Sequence, residues 1–156
     1  MKPENGEHPL GDTGQLVCLG LFLILWVGDS FLLRKSTFLS NDVPPSSRLA
    51  ILGLTLITAV CLLKSGHVIT RHEQRPNRVA STGAFRYVRH PLYLASLLTY
   101  LGLTISTMSI ASFLLLVGIF SFHNCIASYE EKWLETRFGE EYRTYKEKTG
   151  KWFPRI

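Results

Sequence analysis

Two charged pairs stand beside long apolar runs in this chain, Arg89-His90 immediately before Pro91 and, further on, Glu130-Glu131. Pro91 suits the first position of a helix, where its fixed φ is tolerated and its missing N–H is no loss. The amides of residues 92 to 94 would then be orphan donors at the positive end of that helix, a natural seat for an anion, with Arg89 and His90 beside it. Gly83 upstream permits a backbone conformation that other residues resist. Glu130 and Glu131 offer the opposite chemistry, a seat for an ammonium. Singly, each pair has a bland explanation, a helix cap in one case and solvated surface in the other. Brought together, they complement a zwitterion carrying both carboxylate and ammonium.

The elements that must position these pairs are membrane helices. The hydrophobic content is 46%, and it is concentrated in Leu16 to Leu33, Leu49 to Leu63 and Leu92 to Ala127. Apolar stretches of roughly 18 to 20 residues cross a hydrocarbon core of about 30 Å. The last stretch is long enough for two spans, and its middle, Gly102, Thr104, Ser106, Thr107, Met108 and Ser109, reads as a tight turn. The expected fold is therefore all-α, a polytopic membrane protein of one domain, 1–156. Its four transmembrane helices fall near 15–34, 48–69, 91–106 and 109–129; the last two form a helical hairpin, and a cytoplasmic C-terminal helical extension follows. The first segment has Glu4, Glu7 and Asp12 on its flank and a long apolar run, which argues for a retained helix over a secretory signal.

Arg71, Arg75, Arg78, Arg86 and Arg89 crowd the second connection, and Lys132, Arg137, Arg143, Lys146, Lys148, Lys151 and Arg155 the tail. Both regions, and hence both termini, are expected in the cytoplasm. The net charge of +5 then lies on one face, which suits anionic membrane lipids; no nucleic-acid motif accompanies it. The small size favours a bacterial inner membrane over the endoplasmic reticulum. Cys18, Cys61 and Cys125 sit one per span without CxxC spacing, as packing residues, and no metal-ligand set is expected. Asp29 is the one acid well inside a span, and a structural role is expected for it.

Trp133, Leu134 and Phe138 continue the fourth helix beyond the membrane, and Gly139 reads as its stop. Glu130, Leu134, Arg137 and Phe138 fall near one stripe of that helix. Glu141, Tyr142, Tyr145 and Trp152 describe a second, interfacial segment whose aromatics are expected as a headgroup belt.

The run G-A-F-R-Y-V-R-H-P-L-Y at 83–93, a hairpin, then E-E-K-W-L-E-T-R-F-G-E-E-Y-R-T-Y at 130–145 and a terminal aromatic-Pro resemble the isoprenylcysteine carboxyl methyltransferase family, within a wider group that includes phospholipid N-methyltransferases. The resemblance covers roughly residues 77 to 156. It implies a membrane enzyme using S-adenosylmethionine at the cytoplasmic face, with cofactor-binding elements at 77–93 and 129–156. By matching positions, Asn77, Arg78, Val79 and Ala80 correspond to a backbone stretch near the cofactor, and Phe85 to an aromatic contact. His90, Pro91, Leu92 and Tyr93 correspond to the cofactor-binding RHPxY motif, and Glu130 and Glu131 to the acidic partner of the methionyl amine. The chain departs from the family at Asn77, often His, and at 123–126, where a basic residue often precedes the acidic pair. The implied function is methyl transfer to a lipophilic or lipid-anchored acceptor, whether carboxylate, amine or another nucleophile, and Arg137 and Arg143 are candidates to orient an anionic group on it. The alternatives are an NADPH-dependent enzyme of the sterol-reductase type and a non-enzymatic four-helix scaffold. The oligomeric state is not legible.

Overall fold

The computed structural model describes residues 11–72 and 79–155. Helix α1 spans Gly11–Val27, α2 Pro45–His72, α3 Pro91–Thr107, α4 Ile110–Phe138 and α5 Glu140–Lys148. A π-helical turn, Gly28–Leu33, continues α1, and short 3-10 turns occupy Phe38–Asn41 and Gly83–Arg86. Among the described residues there is no strand, only an isolated bridge between Val88 and Gly150. The protein is an all-α membrane protein.

Among the described residues three helices are long and apolar enough to cross a membrane, over Thr13–Leu33, Pro45–Gly66 and Ile110–Phe138; α3, with 17 residues, is shorter. At 1.5 Å per residue α3 is about 25 Å long, short of a hydrocarbon core of about 30 Å. Its partner α4 has 29 residues, or about 43 Å. Both leave the same two-residue turn, where Met108 takes a left-handed conformation (φ 54°) and Ser109 caps α4. The hairpin is therefore lopsided, and the start of α3 is recessed beside the flank of α4.

Polar groups at the turn end satisfy one another. The π-turn closes with the Arg34 N–H on the Asp29 carbonyl at 2.7 Å and turns the Asp29 side chain inward. The Asp29 carboxylate accepts from Ser109 Oγ at 2.6 Å, from the Ser36 amide at 3.2 Å and from Ser36 Oγ. The first amides of α4 are met in turn: Ile110 by the Ser36 carbonyl at 3.2 Å, Ala111 by Ser36 Oγ at 3.0 Å, Ser112 by Ser109 Oγ at 3.1 Å. A carboxylate at the positive end of a helix is favourable, and orphan amides within a membrane are costly, so Asp29 has the structural role expected of it.

The core joins Phe22 from α1, Tyr93, Leu97 and Tyr100 from α3, Leu116, Ile119, Ile126 and Ala127 from α4, and Trp152 from the tail. Phe22 and Tyr100 stack with centroids 4.6 Å apart. α2 packs chiefly on α3, and two glycines set how closely. A Cβ on Gly102 would lie 2.1 Å from Thr55 Oγ1, and one on Gly66 would lie 2.7 Å from Leu92 Cδ2. Small residues at such crossings let helix backbones approach where lipid supplies no hydrophobic drive. Leu16, Ile24, Leu32, Leu49, Leu54, Ile57 and Leu114 are more than half exposed, the outer surface of a bundle solvated by lipid. Cys61 and Cys125 belong to that exposed surface, contrary to the packing role expected of them; only Cys18 is partly enclosed.

Candidate functional site

The chain reverses at Gly139 (φ 55°), which ends α4 and starts α5. α5 folds back toward the loop before α3. Tyr145 Oη donates to the Phe85 carbonyl at 2.6 Å, and the Val79 amide donates to Glu141 Oε1 at 3.1 Å. Tyr142 is 1% exposed and Trp152 9%. The aromatics expected as a headgroup belt thus point inward and fasten the tail, and burial pushes the Tyr142 and Tyr145 phenols up. The residues after α5 form a strap: Gly150 bridges Val88, and its carbonyl accepts from the Arg89 amide at 2.9 Å. Trp152 Nε1 donates to Asn124 Oδ1 at 3.2 Å, and Lys151 Nζ reaches the Asn124 carbonyl at 3.2 Å and Ser128 Oγ at 2.8 Å. Burial pushes the Lys151 ammonium down from its ordinary value.

Under this strap the two charged pairs meet. Arg89 Nε donates to Glu131 Oε1 at 2.9 Å, and its Nη1 donates to the carbonyls of Lys146 at 3.0 Å and Thr149 at 2.7 Å. His90 Nε2 lies 3.1 Å from the same Glu131 oxygen, and His90 Nδ1 lies 3.7 Å from Glu130 Oε2. Tyr93 Oη donates to Glu130 Oε1 at 2.6 Å. The His90 ring packs between Tyr93 and Trp152, with centroids 5.7 and 5.9 Å away. Of the two carboxylates Glu130 is the more open, its side chain 18% exposed against 8% for Glu131.

The geometry corrects two details of the expected clamp. His90 does not stand with the anion seat: both of its nitrogens face the carboxylates. The Leu94 amide already donates to the His90 carbonyl at 3.0 Å, so the seat extends over residues 92 and 93 at most. Arg89, by sequence a flank of the anion seat and a topology marker, instead spends its guanidinium on tying α3's start to α4 and the strap.

The other expected residues fall around this cluster. Pro91 is buried at the first position of α3, and Leu92 packs on Gly66. Gly83 (φ 56°) opens the turn that carries Phe85, and the next amide, Ala84, donates to Ser65 Oγ of α2 at 2.9 Å. Val79 and Ala80 are half-buried beside it, while Asn77 and Arg78 lie outside the described residues. Arg137 spreads over Trp133 and Phe138 at 4.9 and 5.3 Å. Arg143 is exposed and paired with Glu135 at 3.1 Å and Glu140 at 2.9 Å. With Arg89, Lys146, Glu147 and Arg155, Arg143 and Glu135 line an open cleft of about 420 Å³.

Sequence reasoning assigned no role to His123, and it read Arg89 as a flank of the anion seat, Trp152 as part of a headgroup belt and Lys151 as a topology marker, not as the residues that fasten the strap. The His123 ring is fully buried and stacks on Tyr93 at 5.2 Å. Its helical spacing from Glu130 and Glu131, about two turns along α4, is the signal that could have found it.

A profile of the family described as phospholipid methyltransferase matches residues 49–141, more than half of the chain. The match runs from α2 to the start of α5 and takes in both charged pairs, beginning well before the motif resemblance does. No curated protein and no solved structure matches.

Proposed function

The chain belongs to the phospholipid methyltransferase family, and on that footing we propose that it methylates a lipophilic or lipid-anchored acceptor with S-adenosylmethionine at the cytoplasmic face of its membrane. The observation that carries this is the joining of Arg89, His90 and Tyr93 with Glu130 and Glu131 at the recessed start of α3.

The donor set fits the group. Glu130, the more open carboxylate, is placed to receive an ammonium, and the amides of residues 92 and 93 at the positive end of α3 to receive a carboxylate. Tyr93 and Phe85 offer aromatic faces, worth roughly 0.5 to 2 kcal/mol toward a cation. S-Adenosylmethionine would supply a methyl group already activated on a sulfonium. The protein's own work is then alignment and exclusion of water, and good alignment alone reaches effective molarities on the order of 10⁵ M. Arg89 fixes Glu131, Glu131 and the Trp152 ring fix His90, and Tyr93 fixes Glu130, so the carboxylate that meets the ammonium is held from behind. The short α3 leaves this cluster near the lipid boundary, where an acceptor's apolar part stays in the bilayer. Arg137 and Arg143 are placed to serve an anionic headgroup only by loosening contacts they already make. The basic residues at the site end orient it, and both termini, to the cytoplasm.

The test is transfer itself. Purified protein in lipid nanodiscs, given methyl-labelled S-adenosylmethionine and a total membrane lipid extract, is expected to move label into the lipid phase, at least tenfold less so with Glu130→Gln. A folded wild-type protein that moves no label above a protein-free control would refute the proposal.

A further inference from the structure

His123 lies outside the clamp, and nothing assigned so far uses it. It is 0% exposed, yet neither Nδ1 nor Nε2 has a hydrogen-bond partner. Leaving a buried donor or acceptor unmade costs about 1–3 kcal/mol per group, and in hydrocarbon no water relieves it. The large majority of buried side-chain polar atoms have a hydrogen-bond partner; neither nitrogen of His123 does. The ring is not adrift, because it stacks on Tyr93 at 5.2 Å, and Tyr93 lies in turn 5.7 Å from His90 and donates to Glu130. Three rings therefore lead from the carboxylates into α4, His90, Tyr93 and His123, and His123 is the last of them, enclosed within the bundle.

We propose that His123 is the group that meets the methyl acceptor, and that the acceptor's nucleophile carries a proton: an amine, phenol or thiol on a lipophilic molecule. This rests on the methyl-transfer function proposed above. A carboxylate nucleophile has no proton to lose, whereas a protic one must be relieved of it, and an unspent imidazole nitrogen can take it. As the nucleophile–CH₃ bond forms, the CH₃–S⁺ bond breaks with its electron pair going to sulfur, leaving a neutral thioether. The nucleophile's proton passes to a ring nitrogen of His123. The polar atoms left unpaired in the resting protein are thereby paired only when the acceptor is in place.

Two variants test this. His123→Phe keeps a ring against Tyr93 and removes both nitrogens; His123→Ala opens room for added imidazole. For His123→Phe we expect an unchanged or higher Tm, S-adenosylhomocysteine affinity within twofold of wild type, and label transfer into lipid extract down at least 100-fold. For His123→Ala, millimolar imidazole is expected to restore transfer at least fivefold. In wild type, dodecylamine or 4-dodecylphenol should become labelled, and dodecanoate should not. Transfer by His123→Phe within threefold of wild type, or labelling of dodecanoate alone, would overturn the proposal. So would a fall in Tm of about 5 °C or more in His123→Phe, the size of a lost structural contact. Wild type that fails to bind S-adenosylhomocysteine would instead bring down the methyl-transfer function, and this inference with it.

Discussion

Arg89 holds three parts of the chain at once, α4 through Glu131, α5 through the Lys146 carbonyl and the strap through Thr149 and Gly150. Removing one partner of a buried ion pair strands the other charge, at about 3–5 kcal/mol. Glu131→Gln and Arg89→Leu are therefore expected to lower stability by about that much, read as a drop in Tm, with binding lost as a consequence. Glu130→Gln, at the more open carboxylate, is expected to leave Tm nearly unchanged and weaken S-adenosylhomocysteine binding at least tenfold. Equal effects of the Glu130 and Glu131 changes on Tm would contradict this division. The residues of the cluster were legible in unequal measure. His90, beside Pro91, and the acidic pair announce themselves by residue type, and Tyr93 by the resemblance of 83–93 to a family motif. Arg89 was legible only as a flank of the anion seat and as a topology marker in company with exposed Arg86, not as the tie to Glu131 and the strap. Only the return of α5 and the strap, a contact across sixty positions of chain, makes Arg89 different.

At the level of elements, the site depends on two close approaches. α2 is seated on α3 through Gly102 and Gly66, the second directly behind Leu92 and Pro91. Gly102→Leu has no room against Thr55 and is expected to separate the helices and lower Tm, with an overpacking cost of about 1–3 kcal/mol. The strap turns tightly at Gly150, where a Cβ would lie 1.8 Å from the Phe153 carbonyl oxygen. Gly150→Ala must therefore shift the strap and move Trp152 off His90. The expected readout is a red-shifted, more quenchable tryptophan emission with weakened S-adenosylhomocysteine binding; an unchanged spectrum would mean the strap does not hold the site. The hairpin turn was readable from its small and hydroxylated residues. The π-turn that buries Asp29 was not, since no local pattern marks it and its partners, Ser36 and Ser109, lie in the loop after it and in the distant hairpin turn. The inward-facing Tyr142 and Trp152 were misread as a headgroup belt for a related reason: aromatics near a membrane surface face either way until the fold decides.

The whole molecule is a bundle whose outer apolar surface belongs to lipid, with the Asp29 cluster closing the turn end and the joined charged pairs gathered at the other. Fold class followed from apolar lengths, and so did the unequal hairpin, since the expected bounds of the third and fourth helices lie close to those of α3 and α4; the return of α5 and the strap over the recessed end did not, because it depends on contacts distant in sequence. With all the dense basic connections at that end, both termini are expected on the cytoplasmic side. Single-cysteine variants at Lys35 and Lys148, in a background freed of Cys18, Cys61 and Cys125, should be labelled by an impermeant maleimide from opposite sides of the membrane. The most direct check of the central claim, that the joined pairs hold a sulfonium amino acid cofactor, is calorimetric titration of the detergent-solubilised protein with S-adenosylhomocysteine, with NADPH as comparison. Saturable heat at micromolar concentrations is predicted for the first, none for NADPH, and at least a tenfold weaker isotherm for Glu130→Gln. A folded protein giving no heat with S-adenosylhomocysteine at high micromolar concentration would contradict it.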